Sequence, residues 1–449
     1  MKSIRGLKRI MGLALALGVM FLLLWGFRDF VEDTAATKLT NLFEGSRLWV
    51  PAATVGVLLL VGGVLPGRLF ARIPVTQVFR RYTEGKKGWK RPLLFVQFAG
   101  VAFICGLMCM VMMQYHFVMS KDMGFSTERI VATYLPFKTA KECDNAYNFF
   151  RSLPYVEDLS SAYGNPLDGY SGCFITGENG ESLFSARFDA CMSNYYDLMG
   201  MKLKEGRLPR DNNEVVVNET FVNLMKWGKD AVGHTVHTMG ETSTVTGVLK
   251  DFQINGFYAE PMPYIGFMTK QFNNGLHFLL KEPFAENLQR LTKDAAEAFP
   301  DKTIDFTSME EGMNMLYNPV RVFRNATAVA GVVMFFIMLM GLLGYTADEV
   351  QRRSKEIAIR KVNGAEASSI LRLLGRDVLY VAVPAVVIGV VASWYVNSLW
   401  MDMFSAQASM SAAVYVLIGV AVLAVITGCV LWKSWRIANE NPVLSIKSE

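Results

Sequence analysis

The stretch Arg352–Arg376, RRSKEIAIRKVNGAEASSILRLLGR, decides how this chain must be built. It carries seven Lys or Arg against two Glu and lies between two apolar runs, each long enough to cross a bilayer. It therefore reads as a structured loop on the inner side of a membrane, not as a slack connector. Glu356 and Arg360 stand at i,i+4 in the favourable order, with Lys361 beside them, while Ala358, Ile359 and Val362 share another face. That spacing predicts a short helix along the membrane surface. Asn363 and Gly364 are residues that end helices, and Ala365–Leu374 starts a second one with Ile370, Leu371 and Leu374 as its apolar stripe. The expected unit is helix, turn, helix, and something should dock on it. A basic loop can also be a positive-inside signal and nothing more, and charge alone leaves that reading open.

Outward from the loop the chain is apolar. Of 449 residues 52% are hydrophobic and 25 are Met, and the mean hydropathy is +0.25, which points to an integral membrane protein. A fourth span, Ala328–Tyr345, precedes the loop; a fifth, Val378–Asn397, follows it. A short outer turn and a sixth span, Ala412–Trp432, lead to a polar tail. Upstream, a third span runs from Pro92 to Met119. At ~1.5 Å per residue it reaches roughly 40 Å, beyond the ~30 Å hydrocarbon core, so its outer end with Gln114, Tyr115 and His116 is expected to project as a stalk. Before it come a basic, interfacial segment, residues 68–91, and two apolar runs, Met11–Trp25 and Trp49–Phe70. The first has the length of a signal-peptide core. A second span follows closely and no small-x-small site is evident, which favours an uncleaved span and six spans in all.

Orientation follows from charge. Loops placed inside hold 22 Lys and Arg, and short loops placed outside hold 3, so both termini are expected in the cytoplasm. The net charge of +5 sits beside apolar segments as topology determinants do, and nucleic-acid binding is not indicated.

Residues 120–318 change character. IVATYLP, EVVVNETFV, HTVHTMG and STVTGVLKDFQI read as strands, with MGET as a hairpin turn. Ala140–Ser152, Tyr195–Leu198 and Pro283–Ala298 read as helices, the last with Phe284, Leu288 and Leu291 on one side. This is an α+β domain large enough for its own core. Of the six Cys, Cys143, Cys173 and Cys191 fall here, which leaves room for one disulfide. The expected organisation is a transmembrane hairpin with its basic linker (1–91), the third span and stalk (92–119), the outer α+β domain (120–318), and three spans with loop 352–376 and a tail (319–449).

The hairpins at the two ends look related. Arg72-Ile73-Pro74-Val75 follows the second span; Arg436-Ile437, then Pro442-Val443, follow the sixth. One span, an outer domain and three spans form a complete unit from Pro92 on, and residues 1–91 look like the last hairpin of an earlier one.

RRSKEIAIRKVNGA resembles the cytoplasmic loop of the FtsX-like permeases of the MacB type, and LLFVQF, GFSTERIVA, EGRLP, VGHTV, TGVLKDF and the closing NPVLSIKSE look like further landmarks of that family. The resemblance implies a MacB-type periplasmic core domain on a helical bundle in a bacterial inner membrane. It implies that Arg352, Arg353, Lys355, Glu356, Ile359, Arg360, Lys361, Gly364 and Ala365 form a coupling helix and turn seated on an ATP-binding cassette subunit. ATP and Mg would be held by that subunit. A homodimer or pseudodimer of permeases is implied, together with a periplasmic adaptor or outer-membrane channel in the transporting members. Long members carry two units, and here the opening span and outer domain of the first unit are expected to be missing.

No reaction centre is legible. There is no GxxxxGK[ST] loop and no GxSxG elbow; Gly169-Tyr170-Ser171-Gly172 reads as a loop. His234 and His237 lie three apart, which puts them on opposite faces of a strand and argues against a metal site. Asp251, Glu310 and Glu311 have no acid–base partner and read as solvated or interfacial. What remains is mechanical: nucleotide-driven motion of the inner loop moving the outer domain. Two functions fit, ATP-driven export or extraction of a lipophilic molecule, lipoprotein, peptide or drug, and transmembrane regulation of a cell-wall hydrolase or sensor kinase.

Overall fold

The structure is a computed structural model that describes residues 18, 25–35, 38, 40, 49, 90–269, 273–353, 356–357, 359–360, 363 and 366–438. The two expected spans near the start, but for isolated positions, most of the basic linker and the tail after residue 438 lie outside the described residues. In chain order come helices α1 (Arg28–Ala35) and α2 (Lys90–Ser120), strand β1 (Ile130–Tyr134), α3 (Ala140–Arg151), β2 (Val156–Ala162), β3 (Ser171–Thr176) and β4 (Ser182–Cys191). Then follow α4 (Tyr195–Leu198), β5 (Leu203–Gly206), β6 (Glu214–Asn218), α5 (Glu219–Met225), β7 (Thr235–Thr238), β8 (Glu241–Leu249), β9 (Tyr264–Met268) and β10 (Gly275–Leu280). The chain continues with α6 (Phe284–Ala298), β11 (Thr307–Ser308), α7 (Met309–Leu316), α8 (Asn318–Arg352), α9 (Ala367–Met401) and α10 (Ala412–Ala438).

Two compact units result. One comprises Met1–Met112, Val320–Ser398 and Met410–Glu449; the other Met113–Pro319 and Leu399–Ser409. Among the described residues, α2, α8, α9 and α10 contain the four helices long and apolar enough to cross a membrane. All four outrun the expected spans, α2 by a residue or two at each end and the others by more: α8 starts at Asn318, α9 at Ala367, and α10 runs on to Ala438. A hydropathy pattern marks where apolar side chains are; a helix continues for as long as its backbone ladder does.

In the first unit each helix buries one stripe at i,i+3/i+4 spacing: Leu94, Phe98, Val101 and Ala102; Met338, Leu342 and Tyr345; Val378, Ala382, Ala385 and Val386; Val422, Ile426 and Val430. The other faces keep large apolar side chains exposed, Val332, Val333, Phe336 and Met340 on α8 among them, as a lipid-facing surface requires. At Gly389 a Cβ would lie 2.3 Å from Ala99 O, so only glycine lets α9 approach the α2 backbone this closely. Asn397 Nδ2 donates to Gly106 O (3.2 Å) and the Tyr415 hydroxyl (2.9 Å) in the same bundle.

The second unit is α+β. Its strands form one mixed sheet in the order β11-β1-β10-β2-β4-β3-β7-β8-β6-β9, with β5 paired to β8. A parallel pairing of β4 with β9 closes β4, β3, β7, β8, β6 and β9 into a ring. Inside the ring lie Cys173, Ile175, Ala186, Val215, Val217, Phe221, Val236, Val245 and Ile265. A separate core under α3 and α6 joins Val131, Tyr147, Phe150, Leu159, Phe278 and Leu291. Helix α3 starts with a capping box in which the Thr139 hydroxyl accepts from Glu142 N and Glu142 Oε2 accepts from Thr139 N.

Several expectations are met in this unit, among them strands β1, β7 and β8, helices α3, α4 and α6, and the hairpin at Met239-Gly240, both with positive φ (54° and 81°). Others need correction. The strand expected over EVVVNETFV stops at Asn218, whose side chain caps α5 by accepting from Phe221 N at 3.1 Å. Asp251 is half-buried and has partners the sequence did not show: it accepts from Thr220 N and Oγ1, both at 2.9 Å, in the first turn of α5. Ser171 and Gly172 open β3 instead of lying in a loop. All six Cys are free, and Cys143 and Cys173 are buried in two different cores.

Candidate functional site at the connection between α8 and α9

The site is built where α8 ends. Glu349, almost buried on the last full turn of α8, receives two guanidinium groups: Arg352 Nη2 at 2.5 Å and Arg353 Nε at 2.6 Å. The spacings i,i+3 and i,i+4 bring both to one face. Arg353 also binds the Asp377 carboxylate on α9, so one side chain ties the end of α8 to the beginning of α9. Its guanidinium is only 18% exposed, so the tie is screened less than a surface pair.

Beyond Arg353 the ladder continues in pieces, Ile357 N to Arg353 O at 2.9 Å and Asn363 N to Ile359 O at 3.1 Å. Ile357 packs with Val350 and Leu374 in a three-residue core. The opposite side points out. Ile359 is 62% exposed, and Arg360 Nη2 bonds Glu356 Oε1 at 2.8 Å with both side chains open to solvent. The i,i+4 pair therefore forms as the spacing predicts. A large apolar side chain thus stands in solvent, rimmed by a charge pair.

Of the expected site residues, Arg352, Arg353, Glu356, Ile359 and Arg360 are placed here, whereas Lys355, Lys361, Gly364 and Ala365 lie outside the described residues. The expected second helix of the loop is not a separate element: it is the first part of α9, which runs unbroken from Ala367 through the apolar span. Sequence reasoning missed Glu349, Ile357 and Asp377. The spacing from Glu349 to the arginines was available as a signal, but Asp377 meets Arg353 only through the fold.

The outer connection, between α9 and α10, is of another kind. Gln114, expected to project on a stalk, is fully buried; its amide donates to Ala406 O at 3.0 Å and accepts from Ala408 N at 2.8 Å. Ser405 N donates to Phe257 O at 2.9 Å, its hydroxyl donates to Ala259 O at 2.7 Å, and Phe404 stacks on Tyr258 at 5.3 Å. Among the described residues no cluster of three or more metal-ligating side chains occurs. His234 stacks on Trp227 at 4.7 Å, and His237 Nδ1 lies 2.8 Å from Thr242 Oγ1.

Residues 328–442 match the model of the FtsX-like permease C-terminal family. The macrolide export ATP-binding/permease protein MacB of Aggregatibacter actinomycetemcomitans is 22% identical over 247 residues, 50% of this chain and 36% of that protein, so the chain spans about a third of the curated relative's length. Among solved structures, the periplasmic region of MacB from Actinobacillus actinomycetemcomitans is 14% identical with a TM-score of 0.34, covering 44% of this chain and 98% of that one. A domain of a permease protein from Porphyromonas gingivalis is 16% identical with a TM-score of 0.30, covering 41% of this chain and 92% of that one.

Proposed function

We propose, from the premise that the chain is an FtsX/MacB-type permease, that it is the transmembrane subunit of an ABC transporter whose ATP and Mg are held by a separate ATP-binding subunit. The partner seats on the inner connection, against Ile359 and the Glu356–Arg360 pair. What supports this reading is one observation: the connection is rooted by Arg353 between Glu349 and Asp377, yet leaves a large apolar side chain outside. Displacement entering at Arg353 passes along α8, a single helix of 35 residues or about 50 Å, to Asn318. Tyr317, immediately before it in the outer α+β unit, receives Phe257 N on its hydroxyl at 2.8 Å. The cargo is a lipophilic molecule, lipoprotein, peptide or drug, moved on the periplasmic side without a channel through the bundle. Six spans with both termini in the cytoplasm, a dimer or pseudodimer of permeases, and an adaptor or outer-membrane channel complete the proposed assembly.

The double exchange Glu356→Arg with Arg360→Glu tests the docking face. It retains an i,i+4 ion pair on the loop but inverts the charge pattern presented to the partner. Co-purification of the ATP-binding subunit should fall by about tenfold or more while the membrane-inserted amount is unchanged. Undiminished co-purification would remove this face from the assembly.

A further inference from the structure

We propose that the outer unit carries a phosphate-binding pocket for the headgroup of an anionic membrane lipid, formed by Lys121, Lys202 and Lys250. A cavity of about 430 Å³ lies where the end of α2, residues 122–126, Gly200 and the segment after β8 meet, and these three lysines line it. Among the described residues none of the three makes a salt bridge. Two carboxylates share the lining, so it sets three cations against two anions; Asp122 Oδ1 accepts from Gly124 N at 2.8 Å, and Asp251 is turned to Thr220 N and Oγ1. The Lys121 ammonium is held over two rings, and a backbone bond sets the Lys202 and Lys250 segments side by side. Lys121 Nζ lies 5.0 Å from the Phe257 ring centre and 5.2 Å from that of Phe117, and Lys250 N donates to Lys202 O at 2.9 Å. Ser126 Oγ accepts from Glu128 N, which leaves its proton to donate into the cavity. The lining therefore keeps a net positive charge, which an anion joining the three lysines would balance.

The chain itself selects a lipid. Lys121 follows directly on the apolar helix Arg91–Ser120, whose 30 residues reach about 45 Å. That is the thickness of a bilayer with its headgroups, ~40–45 Å, so a spanning α2 delivers Lys121 at the level of the outer phosphates. The inference rests on α2 crossing the membrane and not on what binds the inner connection, so each can fail alone.

The test titrates the full chain in neutral detergent with dioctanoyl phosphatidylglycerol, dioctanoyl phosphatidylcholine and inorganic phosphate by calorimetry, at low and high salt. Phosphatidylglycerol should bind saturably and more tightly than the other two, and weaken as the screening length shortens to ~3 Å at 1 M salt. The triple variant Lys121→Gln, Lys202→Gln, Lys250→Gln should lose about tenfold or more in affinity, and the matching triple Arg variant should retain it. Circular dichroism checks folding, and Lys202→Glu alone gives a second arm that should also weaken binding. Absence of saturable lipid binding, equal binding of the two lipids, or unchanged affinity in folded Gln and Glu variants overturns the proposal. Inorganic phosphate binding as tightly as the lipid overturns the lipid source.

Discussion

The connection before α9 and the connection after it both join apolar helices, and they treat their polar groups in opposite ways. The inner one fastens its roots, with Glu349, Arg353 and Asp377 closed on one another and Val350, Ile357 and Leu374 packed together, then leaves Glu356, Ile359 and Arg360 outward. The outer one, residues 399–409, spends its groups on its own unit through Gln114, Ser405 and the Phe404–Tyr258 stack. A connection satisfied by its own chain passes on position. The other, among the described residues, is fastened at its roots and leaves Ile359 in solvent.

Removing the central contact of each connection tests that contrast, and the outer one should respond most. Gln114→Leu keeps the volume but leaves Ala406 O and Ala408 N without partners in a buried place, at about 1–3 kcal/mol each. The thermal midpoint of the full chain in detergent should fall by about 5 °C or more. Arg353→Leu should cost less, because the almost buried Glu349 keeps Arg352 as a partner and Asp377, 21% exposed, can take water in place of the lost guanidinium. A silent Gln114→Leu beside a damaging Arg353→Leu would reverse the two roles.

Gln114 also marks where the sequence stops being readable. The apolar runs of α2, α8, α9 and α10 are local signals and are legible, as is the Glu356–Arg360 pair at its i,i+4 spacing. A lone Gln near the outer end of a long apolar helix reads as a projecting residue, because nothing local shows that residues 406 and 408, nearly three hundred positions later, fold back on it. The same limit hides the ring in the outer unit. Strands β1, β7 and β8 announce themselves by composition, but the parallel pairings β4–β9 and β6–β8 that close the barrel join strands distant in sequence. Asp377 belongs with these: it completes the inner site only when α9 lies beside α8.

The rule that the outer unit satisfies its own polar groups has a titratable exception, which sharpens the contrast at smaller amplitude. Asp189 is fully buried; burial pushes its carboxyl up to about 7, against the pull of the Gly164 and Tyr163 N–H groups that it accepts. His277 is buried as well, neither of its ring nitrogens has a hydrogen-bond partner among the described residues, and burial lowers it to about 4. The signs oppose. An acid raised in the folded state contributes stability below about 4 that is lost as pH rises to about 7. A base lowered in the folded state contributes stability above about 6.5 that is lost as pH falls to about 4. Between about 4 and 6.5 the two slopes offset each other, and from 6.5 to 7 the Asp189 loss stands alone. The tyrosines around Asp189, Tyr170, Tyr195 and Tyr264, are themselves pushed up by burial and stay neutral throughout. Asp189→Asn should therefore turn a nearly flat profile into one that rises with pH, by at most about 1.4 kcal/mol per pH unit, between about 4 and 6.5. Denaturant midpoints of the full chain at four or five pH values measure it, and an unchanged profile would mean that Asp189 is ionised across the whole range.

The smallest effect on stability should come from the inner connection, where two isoleucines two positions apart separate packing from docking. Ile357 is 5% exposed and touches Val350 and Leu374; in so small a core, Ile357→Ala should cost about 1 kcal/mol. Ile359→Ala removes a side chain that is mostly in solvent and should change stability by less than about 0.5 kcal/mol. Capture of the ATP-binding subunit should rank them the other way, with Ile359→Ala the weaker binder, because an apolar side chain at the centre of a rimmed contact carries more binding free energy than the charges around it. Thermal midpoints and co-purified partner, measured on the same two preparations, give both rankings. If Ile359→Ala lowers the midpoint more than Ile357→Ala does, or binds the partner as well as the unaltered chain, the outward face of this connection is not where the partner sits.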